Sequence, residues 1–154
     1  MLLAFSFPSA LAAQQPVAES PATMVDVRSI DSTIRLASPT SIVVRGDVAD
    51  RLARVARRLA TGAIGLKVYA GYRTGEGPHA EGRAVDLTMV DLSRGTEIPM
   101  GSRFPEADTA AAPTPVGGRE GRYRQLLARV MTEEGFVGDE KRWWHFELSR
   151  VARD

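Results

Sequence analysis

Two histidines and one aspartate are the side chains of this sequence whose types and spacing can support metal chemistry. His79 and Asp86 lie seven residues apart, and His145 follows a pair of tryptophans near the C-terminal end. Two histidines and one carboxylate are a known protein ligand set for catalytic zinc, and they leave a fourth position for water. A zinc ion in such a site acts as a Lewis acid and lowers the pKa of that water to about 7.

Two strands must position these side chains. Residues 83–90 and 143–148 alternate in hydrophobicity, which predicts a strand in each case. The two-residue period of a strand places His145 and Glu147 on one face of the second strand. The first histidine can meet Asp86 if it lies in the turn that enters the first strand. From spacing alone, two histidines that are unrelated to each other remain the alternative.

The other elements predict one α+β domain with a small antiparallel sheet flanked by helices. Hydrophobic residues recur at helical spacing in residues 47–61 and in about residues 119–134, and a glycine follows each segment. Short β-branched or alternating runs predict further strands at residues 24–27, 42–44 and 66–72, with a hairpin partner at residues 97–100. The order strands, helix, strands, helix, strand argues against a βαβ array.

The N-terminal residues predict an exported protein. Residues 1–13 carry no charged side chain and are mostly apolar, and polar residues follow them, as in the hydrophobic region and cleavage site of a secretory signal peptide. This run is too short for a stable membrane span, which needs about 20 apolar residues. Residues 14–23 predict a flexible lead, and residues 24–154 a single folded domain. Within that domain, residues 104–118 predict a loop of low complexity that forms a lid or an insert.

Composition excludes several classes of function. A chain of 154 residues with 44% hydrophobic and 25% charged residues fits one globular domain. The sequence has no cysteine, which excludes a thiol nucleophile, a cysteine zinc finger and an iron–sulfur site. Its formal net charge of +1 gives no electrostatic footprint for nucleic acid or for an acidic membrane. Because there are only two histidines, any metal site that uses imidazole must use His79, His145 or both.

Four motifs resemble those of the D-alanyl-D-alanine dipeptidases. These are zinc peptidases related to bacterial D,D- and L,D-carboxypeptidases and to the hedgehog signalling domain. The motifs are GYR at residues 71–73, H-x-x-G-x-A-x-D from His79 to Asp86, PMGSRF at residues 99–104 and WWH ending at His145. The resemblance runs from about Leu66 to the C-terminal end and implies a fold of the hedgehog and D,D-peptidase type.

The resemblance also implies a function and a set of site residues. It implies one zinc ion bound by His79, Asp86 and His145. Arg73 would stabilise the charge that develops on the attacked carbonyl oxygen, where preorganised charge is most effective. The implied protein is a periplasmic or secreted zinc metallopeptidase that hydrolyses D-alanyl-D-alanine or a similar cell-wall-derived dipeptide. The alternative within this class is a D,D- or L,D-carboxypeptidase that acts on longer peptidoglycan peptides.

Three departures from the family pattern favour a different kind of protein, a zinc-containing binding module with impaired catalysis. The catalytic glutamate of the family lies three residues before the last histidine, where this sequence has Arg142, and a permanent cation cannot act as a general base. Glu140 can substitute if the strand register shifts by two residues. Pro105 replaces the aspartate that receives the amino group of the substrate. Only five residues separate Arg73 from His79, where the dipeptidases have a helical insertion, so we expect a more open pocket.

Overall fold

The structure is a computed structural model that describes residues 23–106 and 117–149. The signal peptide expected at residues 1–13 lies outside these ranges. The same holds for residues 14–22 of the expected lead and for residues 107–116 of the expected loop. The division of the chain into signal peptide, lead and folded domain therefore stays a prediction.

The described residues form two α-helices and two sheets. The helices are α1 (Gly46–Ala60) and α2 (Gly118–Glu133), and a short 3-10 helix spans Val27–Ser29. The strands are β1 (Met24–Asp26), β2 (Ile34–Leu36), β3 (Val43–Arg45), β4 (Ile64–Ala70), β5 (Ala84–Asp91), β6 (Thr96–Glu97), β7 (Phe136–Gly138) and β8 (His145–Leu148). Strands β1 and β3 form a small antiparallel pair, and the larger sheet has the order β2-β4-β5-β8-β7, with β6 beside β5.

Strand β5 is central to the larger sheet and carries the first part of the candidate site. It pairs antiparallel with β4 on one side and with β8 on the other. Every residue from Ala84 to Val90 is buried, which agrees with the nearly continuous apolar sequence of the strand. Asp86 and Thr88 are the polar exceptions. A buried carboxylate such as Asp86 requires polar partners, because burial without them is costly in free energy.

The helices hold the larger sheet in place. The apolar face of α1 is buried in the core, and its members are Val48, Ala49, Leu52, Val55, Ala56 and Leu59. On the polar face, Arg54 donates to a carboxylate oxygen of Glu134 at 2.7 Å, which joins α1 to the C-terminal end of α2. Arg54 and Arg58 of α1 therefore contact acidic side chains of the same chain. Neither described helix is both long and apolar enough to span a bilayer.

The structure confirms the predicted α+β class and corrects some of its details. Both predicted helices are present, each beginning and ending one residue earlier than expected. The larger sheet is mixed, because β2 runs parallel to β4. Strands β2 and β7 have only three residues each, too few to show a clear two-residue period, and the sequence analysis did not predict them. The last strand begins at His145, two residues later than expected.

Gly71 allows β3 and the end of β4 to approach closely. A Cβ atom at this position would collide with the backbone carbonyl oxygen of Val43 and would lie 2.9 Å from the side chains of Ile42 and Val44.

We expect Gly71→Ala to lower the free energy of unfolding by about 1–3 kcal/mol, measured by urea denaturation. In the matched control Gly62→Ala, the new Cβ would meet nothing closer than 3.6 Å. This control should leave stability unchanged or raise it by up to about 1 kcal/mol. Equal losses in the two variants would contradict the close approach.

Candidate metal centre

The pairing of β5 with β8 brings Asp86 and His145 directly opposite each other. Directly opposed side chains of an antiparallel pair lie on the same face of the sheet. Nδ1 of His145 lies 2.7 Å from Oδ1 of Asp86. His79 approaches from the turn before β5, and its Nε2 lies 3.2 Å from the same oxygen. The three side chains are buried, with exposures of 3% for His79, 2% for Asp86 and 3% for His145. The structure thus brings together the three residues that the sequence singled out.

The turn that carries His79 is held by its own backbone. The amide of Gly82 donates to the carbonyl of His79 at 3.0 Å, and the carbonyl of Gly82 accepts from the amide of Arg45 at 2.9 Å. Gly82 has a φ of +71°, a left-handed conformation that favours glycine. The glycine of the H-x-x-G-x-A-x-D motif therefore has a conformational role, which is to return the chain from His79 into β5.

A backbone carbonyl fixes the tautomer of His79. Nδ1 of this ring lies 2.6 Å from the carbonyl oxygen of Gly71. Because a carbonyl oxygen only accepts, Nδ1 carries the proton and donates it, which leaves the lone pair of a neutral ring on Nε2. That lone pair faces the carboxylate of Asp86 at 3.2 Å. Metal-ligating histidines are commonly oriented in this way, with the other nitrogen donating to a carbonyl.

Asp86 is the anionic member of the group. Burial by itself raises the pKa of Asp86, but the hydrogen-bonding contacts of His145 and His79 with the carboxylate outweigh burial and lower the pKa to about 2. The donor atoms of the three residues all lie within 4.8 Å of one another. Two imidazole nitrogens and one ionised carboxylate therefore converge at one buried point. This donor set fits a zinc ion with an open fourth position.

His145 lies between two carboxylates. Its Nδ1 faces Asp86, and its Nε2 lies 3.2 Å from Oε1 of Glu147. The other carboxylate oxygen of Glu147, Oε2, lies 3.3 Å from Nη1 of Arg83. The sequence analysis placed Glu147 on the same face as His145 but assigned no role to it or to Arg83. The two-residue spacing of His145 and Glu147 was the available signal.

The structure does not join Arg73 to the three buried residues by any hydrogen bond or ion pair. Arg73 is exposed on the loop that follows β4. It lies two residues after Gly71, the residue whose carbonyl accepts from His79. Within residues 23–106 and 117–149, its guanidinium makes neither kind of contact with any other side chain. The role predicted for Arg73 stays a prediction.

The position predicted for a general base holds a paired cation. Nε and Nη2 of Arg142 lie 2.9 and 2.6 Å from Oδ2 of Asp139. The guanidinium also lies 5.7 Å from the ring centroid of Trp144. Oδ1 of Asp139 accepts from the backbone amides of Lys141 and Arg142, so the aspartate organises the turn before β8. Glu140, the suggested substitute, is exposed on this turn.

A cavity of about 440 Å³ shares strand β5 with the centre, although none of the three buried residues lines it. Its wall includes Thr88, which lies two residues after Asp86 on the same face of β5. Another part of the wall comes from the PMGSRF motif, where Ser102 accepts a hydrogen bond from Nε1 of Trp143 at 2.9 Å. Phe104 of the same motif stacks on Tyr69 with ring centroids 4.2 Å apart. The motif therefore forms the wall of a cavity whose lining includes Thr88 and Trp143, each two residues from a member of the centre.

Comparison with known proteins supports the resemblance that the motifs indicated. A family described as D-ala-D-ala dipeptidase matches residues 67–153, a range that contains all three buried residues. Similar curated proteins are the D-alanyl-D-alanine dipeptidases of Enterococcus faecium (35% identical over 80 residues), Enterococcus faecalis (32% over 80) and Escherichia coli (41% over 76). These matches cover 51%, 51% and 48% of this chain and 40%, 40% and 39% of the relatives. The chain thus spans about two fifths of the length of these relatives.

Proposed function

Because the chain belongs to the D-ala-D-ala dipeptidase family, we propose that it hydrolyses D-alanyl-D-alanine or a similar cell-wall-derived dipeptide with one bound zinc ion. Peptidases of this family are metal-dependent. The observation that carries the proposal is the buried convergence of His79, Asp86 and His145, whose donor atoms lie within 4.8 Å of one another. We assign these three residues as the zinc ligands.

The residues around the centre orient its ligands and exclude bulk water from them. When bound, the zinc ion supplies a Lewis acid that polarises the scissile carbonyl and lowers the pKa of water. The carbonyl of Gly71 keeps the proton on Nδ1 of His79, so that Nε2 is free to bind. Burial of all three side chains excludes bulk water and strengthens the electrostatic interactions among them.

Arg73 is our candidate for stabilising the oxyanion. It lies two positions after Gly71, the residue whose carbonyl accepts from His79. Its exposed guanidinium is not engaged with another described side chain, which leaves it available to a substrate. A guanidinium beside the attacked carbonyl would stabilise the negative charge that develops on that oxygen.

The cavity lined by the PMGSRF motif is our candidate for the substrate site. A volume of about 440 Å³ lies within the usual range for small-molecule sites. It is bounded by Ser102 and Phe104 from the PMGSRF motif and by Trp143 from the WWH motif. A dipeptide of the cell wall would be found outside the cytoplasm. The signal peptide predicted at residues 1–13 agrees with a periplasmic or secreted location.

Arg142 favours a second candidate function, a zinc-containing binding module with impaired catalysis. Its side chain is cationic and is paired with Asp139 at 2.6 Å. A guanidinium in this position cannot accept the proton that a general base must take. In this alternative, the centre and its cavity would bind a cell-wall peptide without cleaving it.

Release of D-alanine tests these functions directly. The purified protein is loaded with zinc, or treated with a chelator, and incubated with D-alanyl-D-alanine or with a cell-wall pentapeptide. We expect about one zinc ion per chain. We also expect release of D-alanine from the dipeptide, which the chelator should abolish and added zinc should restore. Release from the pentapeptide alone would identify a carboxypeptidase. One zinc ion per chain without release from either substrate would refute both enzyme functions and leave the binding module.

A further inference from the structure

We propose that Glu147 is a positioning residue that fixes the tautomer of His145 and thereby strengthens zinc binding. The inference rests on the proposed function in one respect, namely that His145 is a zinc ligand. It concerns the side of the imidazole ring that faces away from the other two ligands. No role for Glu147 follows from the family motifs.

The two nitrogens of His145 face different partners. Nδ1 lies 2.7 Å from Oδ1 of Asp86, the oxygen that also contacts His79, so Nδ1 points to the centre. Nε2 lies 3.2 Å from Oε1 of Glu147. A neutral imidazole carries one proton, and the partner of each nitrogen decides where that proton resides. An ionised carboxylate only accepts, so when Nδ1 binds an ion at the centre, Glu147 is the acceptor that holds the remaining proton on Nε2.

The two histidines are thus oriented by the same principle. The carbonyl of Gly71 accepts from the outer nitrogen of His79 at 2.6 Å. Glu147 accepts from the outer nitrogen of His145 at 3.2 Å. Without an ion, Asp86 competes with Glu147 for the proton of His145. Once Nδ1 binds an ion, Glu147 alone can accept the remaining proton.

Arg83 holds Glu147 in the required orientation. Its Nη1 lies 3.3 Å from Oε2 of Glu147, which leaves Oε1 free to accept from His145. Arg83 is itself only 8% exposed, and it is fixed by hydrogen bonds to the carbonyl of Leu148 at 3.1 Å and to Glu81. In addition, the pairing of β5 with β8 places the small side chain of Ala84 opposite Glu147, so little volume competes with the carboxylate there.

The same geometry argues against Glu147 as the missing general base. A general base must lie within hydrogen-bond reach of the group from which it takes a proton. Glu147 contacts Nε2, whereas Nδ1 faces Asp86 and the centre. The imidazole ring therefore lies between the carboxylate of Glu147 and the reacting atoms. Glu147 acts through His145.

Zinc affinity measured by competition with a chelator tests the proposal. We expect Glu147→Ala to weaken zinc binding by roughly 10–100-fold, the usual effect of removing a group that orients a metal ligand. Glu147→Gln should weaken zinc binding less than Glu147→Ala, because its amide oxygen can still accept from Nε2 of His145. Glu76→Ala and Glu76→Gln are matched controls, since Glu76 is exposed and has no role in the proposed site. Affinities of the Glu147 variants equal to those of the controls would overturn the proposal.

The protonation state of His145 gives a second test that needs no variant. In ¹⁵N NMR spectra of the zinc-loaded wild-type protein, we expect the proton of His145 on Nε2. A proton on Nδ1 would overturn the proposal even if Glu147→Ala failed to fold. A wild-type protein that bound no zinc would overturn the proposed function as well. Zinc binding by the wild type with a proton on Nδ1 would overturn only the role of Glu147.

Discussion

Asp86→Asn should reduce the zinc content of the purified protein from about one ion per chain to near zero and abolish hydrolysis. The variant keeps the size of the side chain but removes the one negative charge among the three donor groups. The loss of affinity should exceed the roughly 10–100-fold change caused by removing a residue that only orients a ligand. Atomic absorption after gel filtration measures the metal content, and chelator competition measures the affinity.

Asp50→Asn is the matched control for this prediction. Asp50 is exposed on α1, and its carboxylate makes no hydrogen bond or ion pair within the part of the chain that the structure describes. The control should retain zinc and activity. Near-UV circular dichroism of both variants separates a loss of metal from a loss of fold. An Asp86→Asn protein that retained one zinc ion per chain would show that the ion binds elsewhere.

Arg142→Glu should raise the rate of D-alanine release by about 100-fold or more. The resemblance predicts a general base three residues before His145, and such a group typically contributes 10²–10⁴-fold. Asp139, which binds the guanidinium of Arg142 at 2.6 Å, would repel the new carboxylate. We therefore expect the larger gain in the double variant Arg142→Glu with Asp139→Asn. The asparagine retains an oxygen that can accept from the backbone amides of the turn.

Two single variants serve as controls for the introduced carboxylate. Arg142→Gln removes the cation without supplying a base, and it should release D-alanine no faster than the wild type. Lys141→Glu makes the same change of charge at an exposed neighbouring position, and we expect it to have little effect. The measurement is kcat/KM with zinc content determined in parallel. If Arg142→Glu retained zinc and matched Arg142→Gln, position 142 would not be the place of the missing base.

The three buried residues could be found from sequence because local rules determine most of their geometry. The two-residue period of β5 and β8 puts Asp86 and His145 on predictable faces, and antiparallel pairing then requires only the correct register. Gly82 signalled the turn that returns His79 to the sheet. The resemblance added what spacing lacks, which is a reason to associate two histidines that are 66 residues apart in the sequence.

Other features of the site depend on contacts that leave no sequence signal. The acceptor for His79 is a backbone carbonyl of Gly71, and any residue type would supply the same oxygen. The pairing of Arg142 with Asp139 depends on a turn whose bounds the strand prediction misplaced by two residues. Strand β2, which pairs parallel with β4, has only three residues, too few to show a two-residue period in the sequence.

The contact between Asp86 and His145 joins two residues that are 59 positions apart along the chain. If zinc occupies the centre as proposed, it closes that length of chain into a loop and restricts the unfolded ensemble, as a covalent cross-link does in other proteins. The chain has no cysteine to form such a link. The ion would then act as a reversible cross-link, and its contribution to stability would grow with the concentration of free zinc. The supply of metal would thus affect the stability of this protein as well as its chemistry.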